Sequence, residues 1–207
     1  MNSYVWGSSM WNVLHGTSLL SPTRNTEGDR QLFSDVLSSF RKVCPCNVCK
    51  TSYGTFMSLP QFNLANPQLK PSVFAWELHN AVNTKLSRPL VRYEDVFRRY
   101  RYMVEPVSPA AVWQIVKPVA SHAMAKEPEA AQEFVRATLL LSATLPQFAR
   151  SSLMTELRAE LGDFLDSGAD EPELLAKLDR VEARVFGRCE FDWAKVDQPM
   201  RLDDLVA

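Results

Sequence analysis

Three of the four cysteines, Cys44, Cys46 and Cys49, lie within six residues of one another, and the fourth is Cys189. Pro45 suits the first position of a helix, so the sequence predicts that Cys46 and Cys49 lie in its first turn. The C-x-x-C spacing brings two sulfurs within bonding distance. Unpaired N–H groups at a helix N-terminus stabilise a thiolate, the attacking species in disulfide exchange. Cys46 and Cys49 are therefore candidate redox residues.

Positive charge surrounds this pair in the sequence, and it favours the same chemistry. Arg41, Lys42 and Lys50 lie beside the cysteines. A cation close to a thiol stabilises the thiolate form. The segment therefore combines two features that activate a cysteine for disulfide exchange.

Zinc binding is the alternative use of a C-x-x-C pair. A structural zinc site needs four ligands, normally from two such pairs. The remaining candidates form no second pair; they are Cys44, Cys189, His15, His79 and His122. A thioredoxin-like site requires a βαβ context, which the sequence lacks. We therefore expect a redox pair and no metal, with a zinc-stabilised helical interaction module as the alternative.

Glycine is scarce, at 7 of 207 residues, about half of its usual share of roughly 7%. The chain has neither G-x-G-x-x-G nor G-x-x-x-x-G-K-[ST], which excludes a Rossmann dinucleotide site and a P-loop. No segment has a convincing strand pattern, and turn-rich β folds need more glycine. The sequence predicts an all-α protein.

Apolar spacing predicts helices along the whole chain. Ser8 or Ser9 is the expected N-cap of the first helix, and Ser72 that of the fourth. The predicted helices cover about 8–20, 29–41, 45–59, 72–86 and 93–102, then 110–124, 128–143, 151–166 and 172–186.

The charge is unevenly divided along the chain, and this division predicts two units. Residues 1–105 hold 12 basic and 7 acidic side chains, whereas residues 106–207 hold 11 and 17. Residues 105–109 contain two prolines and are the best candidate linker. We therefore expect domains at 1–105 and 106–207.

Two predicted helices carry polar groups on apolar faces. Trp11 and His15 are one turn apart, and Trp76 begins a similar face on the fourth helix with His79 or Asn80, Asn83 and Leu86. A buried polar side chain without a partner costs about 1–3 kcal/mol. Two such faces suggest a flat, polar-edged aromatic ligand between the helices. Nearby cations could hold its pyrophosphate; they are Lys85, Arg88 and Arg99.

These residues fall into three motifs in a fixed order. The first is W-G-x-x-x-W-x-x-L-H from Trp6, the second is P-C-x-x-C from Pro45, and the third is W-x-x-H-N-x-V-N-x-K-L-x-R-P from Trp76. Together they resemble the Erv/ALR sulfhydryl oxidases over about residues 4–102. The resemblance implies a four-helix bundle that holds FAD, a short fifth helix and a homodimer. The C-terminal residues would add a further helical unit.

The resemblance also implies an activity: dithiols are oxidised to disulfides and O2 is reduced to H2O2. Cys46 matches the interchange cysteine that a substrate thiolate attacks, and Cys49 matches the cysteine that donates electrons at the flavin C4a. The expected FAD-contacting residues are Gly7, Ser8, Trp11, His15, His79, Asn80, Asn83, Lys85, Arg88, Arg99 and Tyr100.

The chain departs from this family in its remaining cysteines. Family members often carry a shuttle pair on a flexible tail, whereas Cys189 is alone in this tail. We expect Cys44 to be a buried, inert thiol, although it could also resolve Cys46 or pair with Cys189. Without a shuttle pair, a protein dithiol, such as a thioredoxin-like protein, would reach Cys46 directly.

The remaining expectations concern location and partners. C-P-C-x-x-C with an added helical unit resembles the large-DNA-virus branch of the family, which implies action in the host cytoplasm or the virion. We recognise no signal peptide and no membrane span. We therefore expect a soluble, intracellular protein with no nucleic-acid partner.

Overall fold

The computed structural model describes residues 3–20, 26–63, 66, 70–102 and 107–187. Helices account for all the regular structure in these ranges, so the all-α prediction is confirmed. A 3₁₀ turn, Pro60–Phe62, follows the third helix. The helices are α1 (Ser3–Leu20), α2 (Glu27–Val43), α3 (Asn47–Met57), α4 (Pro71–Lys85), α5 (Tyr93–Tyr102), α6 (Pro109–Ala123), α7 (Pro128–Ala143), α8 (Pro146–Ala149), α9 (Ser152–Ser167) and α10 (Leu174–Val185).

The predicted start of α1 at Ser8 or Ser9 is wrong, because both serines lie inside the helix. The helix extends upstream to a turn that carries Trp6, which is 6% exposed and packs edge-on against Phe40. Burial of this indole favours helix over the local capping tendency of the serines. Ser9 instead donates a hydrogen bond of 2.8 Å to Gln114 of α6.

Two further helix starts differ from their predictions. Pro45 precedes the cap of α3, and the capping residue is Cys46. The fourth helix begins with Pro71 at its first position and has no side-chain cap. Ser72 is occupied elsewhere, since its hydroxyl bonds to the Tyr93 hydroxyl at 2.9 Å.

The first five helices form a bundle that positions the cysteines. Helix α1 packs on α4, α5 lies across both, and α2 packs on α3. Phe74 of α4 is fully buried, and edge-to-face contacts join it to Phe33 of α2 at 5.9 Å and Phe62 at 5.3 Å. These aromatic contacts hold α2, and therefore the start of α3, in a fixed position relative to α4.

The C-terminal helices extend the same core. Helix α7 packs along α2 in the most extensive helix pair of the described chain, and α6 packs on α1 and α7. Phe134 of α7 lies 5.6 Å from the ring of Phe40. Helices α9 and α10 pack on each other and contact α7 and α6 respectively. One continuous cluster of buried apolar residues therefore runs through both halves of the sequence.

No helix that the structure describes is both long enough and apolar enough to cross a membrane.

We predict that Phe134→Ala lowers the free energy of unfolding of the full chain by about 3–5 kcal/mol. Phe134 is fully buried between α7 and α2, so truncation leaves a cavity in the shared core. Urea unfolding followed by circular dichroism measures the change. Leu90→Ala is the control: Leu90 is 63% exposed, and the expected change is within about 0.5 kcal/mol. Equal, small changes in both variants would contradict a shared core.

Candidate active site

The cysteine pair is positioned by the junction between α2 and α3. Cys46 has an extended backbone and caps α3, and its Sγ accepts the N–H of Cys49 at 3.2 Å. The carbonyl of Cys46 accepts the N–H of Lys50 at 2.8 Å. Cys46 and Cys49 form a disulfide with their Cα atoms 5.1 Å apart, and both are half-buried. The structure thus brings the two predicted redox residues together at a helix N-terminus.

The surroundings of this disulfide are positively charged. The Lys50 ammonium donates to the carbonyl of Lys42 at 2.6 Å, which holds it at the end of α2. Lys42 also lies 4.0 Å from Glu133, an exposed pair that adds little stability. A thiolate released at Cys46 would accept the Cys49 amide and face these cations. The junction is therefore suited to disulfide exchange.

Cys44 is the free cysteine of the described ranges and lies in a different environment. It is 4% exposed, and its thiol donates to the Cys46 carbonyl at 3.7 Å. Burial raises the pKa of the Cys44 thiol, which keeps it protonated and weakly nucleophilic. These observations agree with the expected inert role. Cys189 lies outside the described residues.

A cluster of aromatic rings, Trp11, His15, His79 and Tyr100, forms where α1, α4 and α5 meet. We call it the aromatic cluster. The rings of Trp11 and His79 stack in parallel at 4.2 Å, and His15 lies 5.3 Å from Tyr100. His15 Nε2 and His79 Nδ1 share a hydrogen bond of 2.9 Å. Four predicted cofactor-binding residues therefore lie together.

The two histidines of the cluster are held neutral. Burial, with smaller contributions from His79 and Arg99, lowers the pKa of His15 to about 3. Burial, followed by Arg88 and Arg99, lowers the pKa of His79 to about 4. At neutral pH their hydrogen bond therefore joins one donor nitrogen and one acceptor nitrogen of neutral rings.

Several polar groups along α1 and α4 lack a protein partner. Within the described residues, His15 Nδ1 and Trp6 Nε1 are buried with no hydrogen-bond partner, as is Thr138 Oγ1 on α7. Asn83 of α4 is 6% exposed, and its side chain forms no hydrogen bond within the described ranges, but its amide is not among these fully buried atoms. Unsatisfied buried polar atoms are rare, and each one calls for an explanation. A flat ligand with polar edges, such as FAD, fits these groups.

Cations lie at the edge of the aromatic cluster, and their contact with a pyrophosphate stays a prediction. Arg88 and Arg99 are exposed but close enough to depress the pKa values of the histidines, and neither forms an ion pair within the described residues. Lys85 donates to the hydroxyl of Ser52. Because Ser52 is on α3, this bond joins the end of α4 to the redox helix.

Asn80 has a structural role that the sequence did not reveal. Its amide nitrogen donates to the Val91 carbonyl at 2.9 Å, and its oxygen accepts the Val91 N–H at 3.0 Å. Trp76 Nε1 donates to the same carbonyl at 2.7 Å. These bonds hold the segment between α4 and α5 against α4. In the sequence, only the helix stop at Arg88-Pro89 indicated that α4 is followed by a non-helical segment here. Contact of Asn80 with a cofactor stays a prediction.

Gly7 and Ser8 lie on α1 at the end nearer the disulfide. Ser8 is exposed, and a Cβ at Gly7 would meet nothing within 4 Å. Trp6, beside them, contacts Phe40, and the Phe40 carbonyl accepts the Cys44 amide at 2.9 Å. Helix α1 therefore runs from the cysteine junction to the aromatic cluster.

Two residues of this region were missed by the sequence analysis. Trp6 begins the first motif, but no contact was predicted for it, and no role was predicted for Asn12. Asn12 accepts the Tyr100 hydroxyl at 2.8 Å, which fixes α5 against α1. Helical spacing alone carries no signal for a contact between residues this far apart in the chain.

The comparisons with known proteins agree with this geometry. The profile of the Erv1/Alr family matches residues 8–101. A relative from Invertebrate iridescent virus 3, whose name places it among FAD-linked sulfhydryl oxidases, is 24% identical over 108 residues, covering 52% of this chain and 73% of its own. A similarly named relative from Acanthamoeba polyphaga mimivirus is 24% identical over 110 residues, covering 51% and 76%. A search of solved structures gave no significant match.

The matched segment contains α1 to α5 almost entirely, and with them both predicted redox cysteines and the aromatic cluster. Residues 8–101 of the chain are similar to the Erv1/Alr family. The two viral relatives agree with the resemblance to the large-DNA-virus branch.

We predict that the full chain loses stability as the pH falls from about 6.5 towards 4. The pKa values of His15 and His79 are about 3 and about 4 when folded, against an ordinary 6.5. Within this window the unfolded chain binds protons that the folded chain does not, so stability present above pH 6.5 is lost on acidification. The expected loss between pH 7 and pH 5 is about 1–2 kcal/mol for each histidine, measured by urea unfolding.

The matched variants for this experiment are His79→Gln and His122→Gln. The first removes a titrating group from the aromatic cluster and should reduce the pH dependence. The second changes a half-buried histidine of α6, outside the aromatic cluster, and should leave most of the pH dependence of stability unchanged. A pH dependence that His79→Gln does not alter would refute the assignment.

Proposed function

We propose that this chain is an FAD-linked sulfhydryl oxidase that converts protein dithiols to disulfides with O2 as the electron acceptor. The observation that carries the proposal is the Cys46–Cys49 disulfide at the start of α3, within the segment that the Erv1/Alr profile matches. Both relatives are named as FAD-linked sulfhydryl oxidases. The neutral, partly unsatisfied groups of the aromatic cluster support a bound flavin.

The proposed dithiol step takes the roles of the two cysteines from the family resemblance, and the geometry of the cysteine junction supports it. A substrate thiolate attacks Sγ of Cys46, the Cys46–Cys49 bond breaks, and Cys49 leaves as a thiolate. The second substrate thiol, as its thiolate, attacks the mixed disulfide, which releases the oxidised substrate and the Cys46 thiolate. Two electrons thus pass to the cysteine pair, and the two substrate protons pass to water or buffer. The Cys49 amide and the nearby cations stabilise the Cys46 thiolate.

A bound FAD would supply the two-electron acceptor for the reduced cysteine pair, with O2 as the final acceptor and H2O2 as the product. The residues proposed to hold FAD lie along α1, α4 and α5. Trp11, His15, His79 and Tyr100 offer flat apolar faces with neutral polar edges. Arg88 and Arg99 supply positive charge for the pyrophosphate. Gly7 and Ser8, at the disulfide end of α1, border open space.

The zinc-stabilised interaction module is not favoured. Cys46 and Cys49 are joined to each other. The described ranges contain no group of three or more histidine, cysteine or carboxylate side chains placed to hold a metal ion. The stacked, neutral histidines are better explained by a flat organic ligand.

The partner proposals rest on chemistry and on the relatives. We propose a protein dithiol substrate, for example a thioredoxin-like protein, and action in the host cytoplasm or the virion, because both relatives are viral. A homodimer stays a proposal as well. Since α6 and α7 pack on α1 and α2, such a dimer would use the surfaces that these helices leave open.

The two-unit organisation also stays a proposal. Residues 1–105 would carry the chemistry, and residues 106–207 would support it. The core shared by α2 and α7 makes this support mechanical, because the cysteine junction begins at the end of α2.

We predict that Cys49→Ser abolishes steady-state oxygen consumption with dithiothreitol while FAD stays bound. The variant cannot reform the Cys46–Cys49 disulfide, so the dithiol step has no acceptor. An oxygen electrode measures turnover, and the absorbance of the purified protein measures bound FAD. Cys44→Ala is the matched control, and it should retain most of the activity because Cys44 is a buried, protonated thiol. Normal turnover in Cys49→Ser would disprove the proposed step.

A further inference from the structure

A basic groove lies beside the redox helix, and it includes Lys50, one of the cations near the cysteine pair. It is a cavity of about 500 Å³ between the last turn of α2 and the exposed side of α3. We call it the Arg41 groove. Its lining residues are Arg41, Lys50, Thr51, Gly54, Thr55 and Ser58.

The groove is aligned with the cysteine that substrate thiols attack. Cys46, Lys50 and Gly54 are spaced four residues apart, so they lie along one side of α3. At a rise of 1.5 Å per residue, Lys50 and Gly54 lie about 6 and 12 Å along the helix from Cys46. A peptide bound in the groove could therefore continue directly to the Cys46 sulfur.

The groove carries positive charge that no carboxylate in its lining neutralises. The Arg41 guanidinium lies beside Gly54: its Nε and Nη2 would be in ordinary contact, at 3.7 and 3.8 Å, with a Cβ at that position. Arg41 forms no ion pair within the described residues. The Lys50 ammonium donates to the Lys42 carbonyl, which holds it beside the last turn of α2.

An adjoining cavity shares Arg41 and Lys50 but differs in charge. Its lining includes Glu127, and Lys42 beside it lies 4.0 Å from Glu133. Arg41 and Lys50 therefore face a carboxylate on the side of this second cavity, whereas on the side of the Arg41 groove the lining holds none.

We propose that the Arg41 groove binds a carboxylate of the protein substrate and thereby selects dithiols that lie in acidic segments. This inference rests on the proposed oxidase function. An extended peptide rises about 3.3 Å per residue, so the carboxylate would lie about two to four residues from the substrate cysteine that attacks Cys46. Arg41 and Lys50 are specificity-determining residues in this role. Opposite charges at such a surface raise the association rate and favour one class of partner.

Binding can be measured without any redox chemistry. The probe is a fluorescent peptide in which serines replace the two cysteines and glutamates flank them, and the reference probe has glutamines instead. Fluorescence anisotropy with the full chain should show about tenfold tighter binding of the glutamate peptide, with a difference that shrinks as salt is added. Equal binding of both peptides would overturn the inference.

Gly54 offers a matched pair of variants. Gly54→Glu places a carboxylate beside the Arg41 guanidinium and should remove the preference for the glutamate peptide. Gly54→Gln has almost the same size and should keep it. Both residues favour helix over glycine, so a folding defect is not the expected effect. Loss of the preference in both variants would show that shape, not charge, controls binding, and would contradict the proposal.

Turnover separates this inference from the proposed function. For the corresponding dithiol peptides, kcat/KM should be about tenfold higher with glutamates than with glutamines, and Gly54→Glu should abolish the ratio. Dithiothreitol, which is uncharged, should be oxidised by the wild-type chain and by Gly54→Glu at similar rates. If both peptides and dithiothreitol are oxidised without preference, the proposed selectivity is disproved and the oxidase function is supported. If nothing is oxidised but the glutamate peptide still binds preferentially, the oxidase function is disproved and carboxylate binding by the Arg41 groove is supported.

Discussion

The hydrogen bond from the Cys49 amide to the Cys46 sulfur is the interaction on which the site depends. It caps α3 and, in the same place, offers an N–H to whichever thiolate forms at Cys46. The short segment between α2 and α3 therefore serves folding and chemistry together. Because the cap is a cysteine and not serine or aspartate, helix formation holds a reactive sulfur at the positive end of the helix dipole.

The packing of the other helices fixes the position of this turn relative to the aromatic cluster. Phe40 at the end of α2 contacts Trp6 of α1 and Phe134 of α7, so one ring connects the cysteine junction to both halves of the chain. Helix α1 then leads from Trp6 to His15 and the aromatic cluster. The neutral, buried histidines and the cations at the cluster edge give a surface that suits a flat ring system with a phosphate chain. The C-terminal helices are part of the mechanical support for this arrangement.

The sequence predicted the features of the fold that local residue patterns determine. The helical class, helix positions to within a few residues at most ends, and the pairing of Cys46 with Cys49 follow from periodicity, glycine scarcity and motif spacing. The start of α1 was missed because burial of Trp6 outweighs the capping tendency of Ser8 and Ser9. Hydrogen bonds between residues distant in the chain were missed because no local sequence pattern indicates them. Examples are Asn80 with Val91 and Asn12 with Tyr100. The charge difference between the halves gave no sign that α2 and α7 share one core.

The most direct measurement is an anaerobic titration of the purified full chain with dithiothreitol, followed by visible absorbance and then by admission of air. We expect a yellow protein with one FAD per chain, whose colour bleaches after dithiothreitol has reduced the Cys46–Cys49 disulfide and the resulting thiols have passed the electrons on, and returns when O2 is admitted. A colourless protein with stoichiometric zinc, or a bound flavin that dithiothreitol cannot bleach, would contradict this account of the site.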